Sequence, residues 1–399
     1  MIRTITKTAY LSRGGHRNLS ALLSQLRYLY NESLAERKEA WEKHKESVSL
    51  YDQCKTLTRR REDSEWSRYP VRAQRSVLRR LDRAYKHFFK RGGYPRFKSW
   101  RRGIRSFELD QVPKIDHNGN MYSVVIKGVG RFKFKPPLLE GEIKLLRVVK
   151  SPRRVKVQFV VELPDPGVLD IREAVGVDMG IKSRVVLSTG YKVPKRVVDR
   201  EELKRKQRIL SRSVRGSKGR DKKRVSLAKE WDKVRERERG VLHELTADLV
   251  KHHSAKFVVE DLKIPNMVRN KHLSRSIIEQ QWGAFVAYLT YKAESAGGWV
   301  RKVDPRNTTQ QCSSCGAMPE YSIGLGDRWY DCYSCRLSLD RDVNAARNIL
   351  SKGLSLGLAG TVAEVQGDLP AAQDAAQAGE KHSGPSAEDP TAQKNIPVS

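Results

Sequence analysis

The sequence predicts a multidomain α+β protein with a helical N-terminal part, a small antiparallel β region, a mixed α/β region and a cysteine ribbon close to the C-terminal end. Three observations carry this prediction. A chain of 399 residues is long enough for more than one core. The apolar period changes along the chain, from helical spacing to strict alternation and then to short apolar runs between helices. Four of the five cysteines fall into two C-x-x-C pairs within one short window.

The first element, "IRTITKTAYL", is rich in Ile and Thr and reads as a strand. Residues 16–48 follow with helical spacing in "LSALLSQLRYLYNESLAERKEAW". A second helix, "RAQRSVLRRLDRAYKHFFKR", should end at Gly92-Gly93. Its Leu78, Leu81, Tyr85 and Phe88 share one side, while Arg72, Arg75, Arg79, Arg83, Lys86 and Lys90 stack on the other. A one-signed stripe lacks the i,i+4 pairs that steady a helix, so it reads as a phosphate-binding face; the plainer alternative is a solvated surface.

From about 121 to 163 the period becomes two. "SVVIKGVGRFKFK" reads as a hairpin, and Val155, Val157, Phe159, Val161 and Leu163 alternate with polar residues. This region should form a small antiparallel barrel or sheet with the N-terminal strand, closed by the linker "LPDPG". "AVGVDMGIKSRVVLSTG" then reads as two apolar strands around a polar turn. A basic helical pair follows, "REELKRKQRILSRSV" and "RVSLAKEWDKVRERERGVLHELTADLVKHH", joined by a flexible "RGSKGRDKK" and weakened at Gly240. "AKFVVEDL" is a short buried strand, and "EQQWGAFVAYLTYKAESAG" a helix. Residues 354–399, rich in Ala, Gly, Pro, Ser and Gln, read as a disordered tail.

Charge narrows the functional classes. Lys and Arg number 78 against 46 Asp and Glu, a net charge of +32 that calls for a polyanionic partner, nucleic acid first. No apolar run approaches a membrane span, and "MIRTITKTAYLSRGG" has no apolar signal core, so the protein is expected in the cytoplasm and not at a membrane.

Cys312 and Cys315 are separated from Cys332 and Cys335 by 16 residues, a spacing that gives four thiolates to one tetrahedral Zn²⁺. Four thiolates close the coordination shell, so this zinc is structural and the chemistry belongs elsewhere. The carboxylates are the candidates. Asp178 ends the apolar run Val175-Gly176-Val177, Glu260 ends "FVVE", and Asp342 opens the last helix in phase with Ala346 and Ile349. A bare charge on such elements is costly unless it meets a cation. Three acids bordering one sheet suit two hard divalent cations and phosphodiester cleavage. Asp340, two residues ahead of Asp342, is instead placed to cap the helix.

"GVDMGIKSRVVLSTG", "VVEDLKIPNM", "QQCSSCG" with "WYDCYSC", and "DRDVNAARNIL" resemble the split RuvC motifs and zinc ribbon of the TnpB family, transposon-encoded relatives of compact type V CRISPR effectors. "LRYLYNESLAERKEAW" and "LDRAYKHFFKRGGYPRFKSW" are similar to that family's N-terminal recognition helices, so the likeness runs over about residues 1–352. It implies a recognition lobe at 16–115, a β-barrel wedge from 1–15 and 116–168, and an RNase H-like (RuvC) domain from 169–304 and 339–353 with the zinc ribbon, 305–338, inserted. It also implies a Mg²⁺-dependent DNA endonuclease, prokaryotic and nucleoid-associated, that uses a guide RNA to find target DNA beside a short flanking motif, with Asp178, Glu260 and Asp342 as catalytic triad. Composition does not separate RNA from DNA. A transposase or resolvase without a guide, a compact CRISPR effector, a guided binder that no longer cleaves and a structural RNA-binding ribbon protein all stay open at this point.

Overall fold

The computed structural model describes residues 1–358 apart from 63–64, 91, 101–102, 137–140, 166, 168–171, 182, 195, 197, 321 and 325. The chain is α+β and divides into two compact units, 1–165 with 198–238, and 166–197 with the chain from 239 on.

The first unit opens with strand β1 (Ile2–Ala9) and the long helix α1 (Arg13–His44). Ser12 caps α1 by accepting from the Gly15 amide at 3.0 Å, and the helix stops where Lys45 turns left-handed, φ 58°. A helix that the sequence pattern does not announce follows, α2 (Leu50–Arg60), opened by a reciprocal Ser49/Asp52 capping box. Helix α3 (Val71–Phe89) buries Val77, Leu78 and Leu81 and ends before the expected Gly92-Gly93.

Two antiparallel sheets complete the core. Strands β2 (Ser106–Leu109), β6 (Glu142–Lys150) and β7 (Val155–Glu162) join β1 in the order β1-β7-β6-β2. Strands β3 (Ile115–Asn118), β4 (Met121–Ile126) and β5 (Gly130–Phe134) form the second sheet, with the expected β4–β5 hairpin. The two meet through a bridge between Tyr10 and Lys133 and enclose Phe107, Phe132, Phe134 and Phe159 beside Leu19, Leu22 and Leu26 of α1. Among the described residues the sheets stay open, whereas the resemblance implied a barrel. Strand β2 lies within 16–115, the stretch that the resemblance implied as the helical recognition lobe. Its four residues are too short to announce a period.

Helices α4 (Glu201–Ser211) and α5 (Lys218–His252) form the basic pair, and α5 starts within the segment expected to be flexible. Ser217 Oγ accepts from the Arg220 amide at 3.0 Å, and the Arg220 guanidinium donates to the carbonyls of Leu210 and Ser213, which fixes the turn. The helix runs unbroken through Gly240. Residues 198–238, which hold α4 and the first part of α5, fall in the first unit, and the remainder of α5 falls in the second.

The second unit is a five-stranded sheet in the order β10-β9-β8-β11-β12. Its strands are β8 (Val175–Asp178), β9 (Ser183–Leu187), β10 (Lys192–Pro194), β11 (Lys256–Glu260) and β12 (Trp299–Val303), with β8, β11 and β12 mutually parallel. After the short α6 (Ile264–Met267) come α7 (Ser274–Gln280) and α8 (Trp282–Ser295), expected as one helix but broken at Gln281, φ 53°. Alternation assigns the faces. Val175, Val177, Phe257 and Val259 pack with Leu242, Leu249, Phe285 and Leu289 of α5 and α8, while Val258 packs with Ile349 of the last helix, α9 (Arg341–Leu358). Strands β13 (Trp329–Asp331) and β14 (Ser338–Asp340) carry the cysteine ribbon. Helix α9 runs to Leu358, into the stretch expected as a tail, and the rest of that stretch, 359–399, lies outside the described residues. Among the described residues no helix is long and apolar enough to cross a membrane.

Candidate metal centres

Parallel pairing of β8 with β11 puts Val259 opposite Val177, so the next step along both strands sets Glu260 beside Asp178 at the same sheet edge. Helix α9 reaches that edge because glycine lets it come close. A Cβ on Gly176 would lie 2.0 Å from the Ala346 carbonyl oxygen, and one on Gly353 would lie 2.4 Å from Val258 Cγ1. The small Ala345 and Ala346, both buried, serve the same approach. Asp340 caps the helix as expected, its Oδ1 accepting from the amides of Asp342 at 3.0 Å and Val343 at 3.3 Å. Asp342 follows in the first turn, where the helix N-terminus favours negative charge.

The electrostatics record the crowding. Burial pushes the Asp178 carboxyl up to about 8, and the charges of Glu260 and Asp342 push in the same direction; the Arg341 guanidinium opposes them. Glu260 is also raised, by burial, against the hydroxyl of Thr308, which donates to its Oε1 at 2.6 Å, and the charge of Lys352. Arg341 Nη2 lies 3.2 Å from Asp342 Oδ1, and Arg341 Nη1 donates to the Gly324 carbonyl at 2.6 Å. Asp178 and Glu260 thus end adjacent parallel strands, and Asp342, on α9, is near enough for its charge to raise Asp178. Thr308, in a turn, and Arg341, the first residue of α9, carry no period or spacing that marks them in the sequence.

The cysteines form a tighter group. The Sγ atoms of Cys312, Cys315, Cys332 and Cys335 all lie within 4.8 Å of one another, with 3.6 Å between Cys312 and Cys335 and between Cys315 and Cys332. A tetrahedral Zn²⁺ with Zn–S bonds of about 2.3 Å needs S···S edges of about 3.8 Å, so the set fits that ion. Each pair sits in a tight turn: the Gly316 amide donates to the Cys312 carbonyl and the Arg336 amide to the Cys332 carbonyl. The Ala317 amide pulls the Cys315 thiol down towards thiolate, the form a metal binds, while burial pushes Cys312 up.

The α3 stripe is less one-signed than its sequence. Strand β2 and the residue after it bring acids alongside, so Arg72 and Arg79 lie 3.4 and 2.8 Å from Asp110 Oδ2 and Arg83 lies 3.8 Å from Glu108. Arg75 is half-buried, and its enclosed Nε has no hydrogen-bond partner among the described residues. Lys86, 3.1 Å from Asp82, and Lys90 at the helix end are the exposed members together with Arg83.

Comparison with known proteins defines the class. A family model described as "Probable transposase" matches residues 158–271, and one described as "Cas12f1-like, TNB domain" matches residues 282–349. A Streptomyces pristinaespiralis protein described as "Putative RNA-guided DNA endonuclease" is 32% identical over 358 residues, covering 86% of this chain and 87% of its own. An Escherichia coli K12 protein, InsQ, carries the same description and is 30% identical over 352 residues, covering 82% and 86%. Among solved structures, a Cas12f1–sgRNA–target DNA complex aligns with a TM-score of 0.57 at 15% identity, over 86% of this chain and 83% of that one, which is a likeness of fold. The chain belongs to the TnpB family.

Proposed function

We propose that this chain is an RNA-guided DNA endonuclease that cuts target DNA beside a short flanking motif with one carboxylate centre, Asp178, Glu260 and Asp342. The observation that carries the reading is the approach of these acids from β8, β11 and α9, where burial first, and then the charges of Glu260 and Asp342, raise Asp178. Relatives spanning most of the chain bear the same description. On this reading the five-stranded sheet and its helices are an RNase H-like (RuvC) domain with an inserted zinc ribbon. The N-terminal sheets then serve as the wedge, and α1 to α3 as the recognition lobe. The protein works where its DNA is, at the nucleoid.

The donors fit hard divalent cations: three carboxylates supply only oxygen, and the cations that lower Asp178 and Glu260, Arg341 and Lys352, only partly offset the burial that raises both. Asp178, Glu260 and Asp342 would hold two Mg²⁺ ions, which when bound activate water and stabilise the leaving oxygen of a phosphodiester. The chain's own part is positional. The α9 backbone, brought close at Gly176, fixes Asp342; Thr308 orients Glu260; Arg341 restrains Asp342. Cys312, Cys315, Cys332 and Cys335 would hold Zn²⁺ in a closed shell, away from the chemistry. A net charge of +32 suits a guide RNA and a target DNA, with pairing to the guide reading the sequence.

The test is to sequence the nucleic acid that copurifies with the protein and then to change its guide segment. A discrete structured RNA, with cleavage following the altered guide, is expected. Full-rate cutting by RNA-free protein, or a target unmoved by the guide, would overturn the guided reading in favour of a transposase or resolvase.

A further inference from the structure

The ribbon is attached to the carboxylate centre through buried side chains that the cleavage chemistry leaves unexplained. Asn344 and Asn348 lie on α9, 0% and 6% exposed, and a buried amide must find partners for both its donor and its acceptor. Asn344 finds them on either side of Cys312: its Oδ1 accepts from the Ser313 amide at 2.9 Å and its Nδ2 donates to the Gln311 carbonyl at 2.8 Å. The side chain therefore reads the backbone of the first cysteine turn as a neighbouring strand would. Asn348 Nδ2 donates to the same Gln311 carbonyl at 2.6 Å and to the Thr308 carbonyl at 2.9 Å. Thr308, 1% exposed, faces the other way. Its hydroxyl has one proton and two acceptors in reach, the Pro305 carbonyl at 2.9 Å and Glu260 Oε1 at 2.6 Å. The charged, closer acceptor takes it.

We infer that Asn344, Asn348 and Thr308 form a clamp through which the first cysteine turn sets the positions of Asp342 and Glu260. They are positioning residues. The route is continuous: Cys312 fixes residues 311 and 313, Asn344 locks them to the helix that begins with Asp342, and Asn348 holds the turn whose hydroxyl aims Glu260. The zinc of the ribbon thereby supports the geometry of the carboxylate centre without touching it. The inference rests on the carboxylate reading above, and its test separates the two.

The experiment uses the RNA-loaded full chain and the variants Thr308→Val, Thr308→Ser and Asn344→Asp, with Asp342→Ala alongside. Measured are the Mg²⁺ concentration for half-maximal cleavage, guided DNA binding, zinc content, and hydrogen–deuterium exchange across residues 341–348. Thr308→Val keeps the shape and loses the hydroxyl, so its Mg²⁺ midpoint should rise about tenfold or more, the usual cost of removing a partner behind a metal ligand. Binding and zinc content should stay unchanged, and Thr308→Ser should restore the midpoint. Asn344→Asp keeps the acceptor for Ser313 but loses the donor to Gln311, and should speed exchange in the first turns of α9 while zinc remains bound. A wild-type Mg²⁺ midpoint in Thr308→Val, a Thr308→Ser variant as impaired as Thr308→Val, or unchanged exchange in Asn344→Asp would each overturn the clamp. Undiminished cleavage by Asp342→Ala would instead refute the carboxylate reading, and the exchange measurement would then decide the clamp alone.

Discussion

The cysteine centre and the carboxylate centre lean on the same helix, α9, yet they are assembled in opposite ways. The thiols come from two local turns and already lie within 4.8 Å of one another; among the described residues no other set of metal-ligating side chains gathers so tightly. The carboxylates come from three distant stretches, and each is brought by a different element. Thiols can approach while protonated, whereas three ionised carboxylates repel until cations join them. A soft structural site can therefore be preassembled by turns. A hard catalytic site needs a rigid sheet and helix to hold charges at a distance they would not choose.

The largest expected effect breaks the second centre. Asp342→Ala or Asp178→Asn should cut cleavage by about a thousandfold, the scale at which removing one group that stabilises transition-state charge costs ~4 kcal/mol. Guided DNA binding should persist, since neither side chain belongs to the basic surface. Asp178→Asn should also raise the melting temperature of the metal-free protein, because it removes a carboxyl whose ionisation burial and two neighbouring acids oppose; the gain should appear above the usual value of 3.8 and grow with pH up to about 8. Calorimetry with and without Mg²⁺ checks this. A lower melting temperature in the metal-free state would contradict the account of a frustrated charge cluster.

Breaking the first centre should show a different signature. Cys332→Ser leaves three thiols, and structural zinc contributes directly to folding, with binding worth about 10–16 kcal/mol in small zinc modules. The variant should lose zinc, melt earlier and become protease-sensitive around the ribbon, with cleavage falling as a consequence. Metal analysis should find one zinc per wild-type chain. Near-zero zinc in fully active protein would remove the distinction between the two centres.

The same contrast explains what the sequence revealed. Cys312 to Cys335 was legible because C-x-x-C spacing is itself the geometry of the turn. Asp178 and Glu260 stood out as acids at the ends of apolar strands, and Asp342 by its helical phase. Thr308, Asn344 and Asn348 were not legible: their roles depend on which carbonyl a distant loop presents, and polar residues on a helix look the same in sequence whether buried or solvated. In the first unit, β2 is too short to show a period, and Glu108 within it and Asp110 just after it alter the charge of the α3 stripe in a way no wheel drawn on α3 alone could show.

That alteration leaves exposure to rank the α3 residues. Arg72, Arg79, Arg83 and Lys86 all have an acid nearby, so Arg83 and Lys86, with 59% and 75% of their side chains exposed, should contribute more to nucleic-acid binding than Arg72 and Arg79, with 41% and 36%. Reversing Arg83 and Lys86 to Glu should lower the slope of log affinity against log salt by about 0.9 for each phosphate no longer neutralised. Reversing Arg72 and Arg79 should lower it less. Equal slopes in all variants and wild type would return the whole stripe to a solvated surface.

The smallest expected effect lies two residues from the largest. Asp340 accepts from the amides of Asp342 and Val343 and pairs with Lys192, so it fastens the start of α9 without joining the acids that shift Asp178. Its loss should cost about 1 kcal/mol, as for a removed helix cap. The ion pair with Lys192 adds little, because both partners remain solvent-accessible. Asp340→Ala should therefore melt slightly earlier and cleave at a rate within a few-fold of wild type, about the shift expected from a first turn that frays more often. Asp340→Asn, which keeps an acceptor for both amides, should recover most of the stability. Cleavage lost in Asp340→Ala but kept in Asp342→Ala would reverse the roles of the two aspartates and move the catalytic acid onto the ribbon side of the helix start.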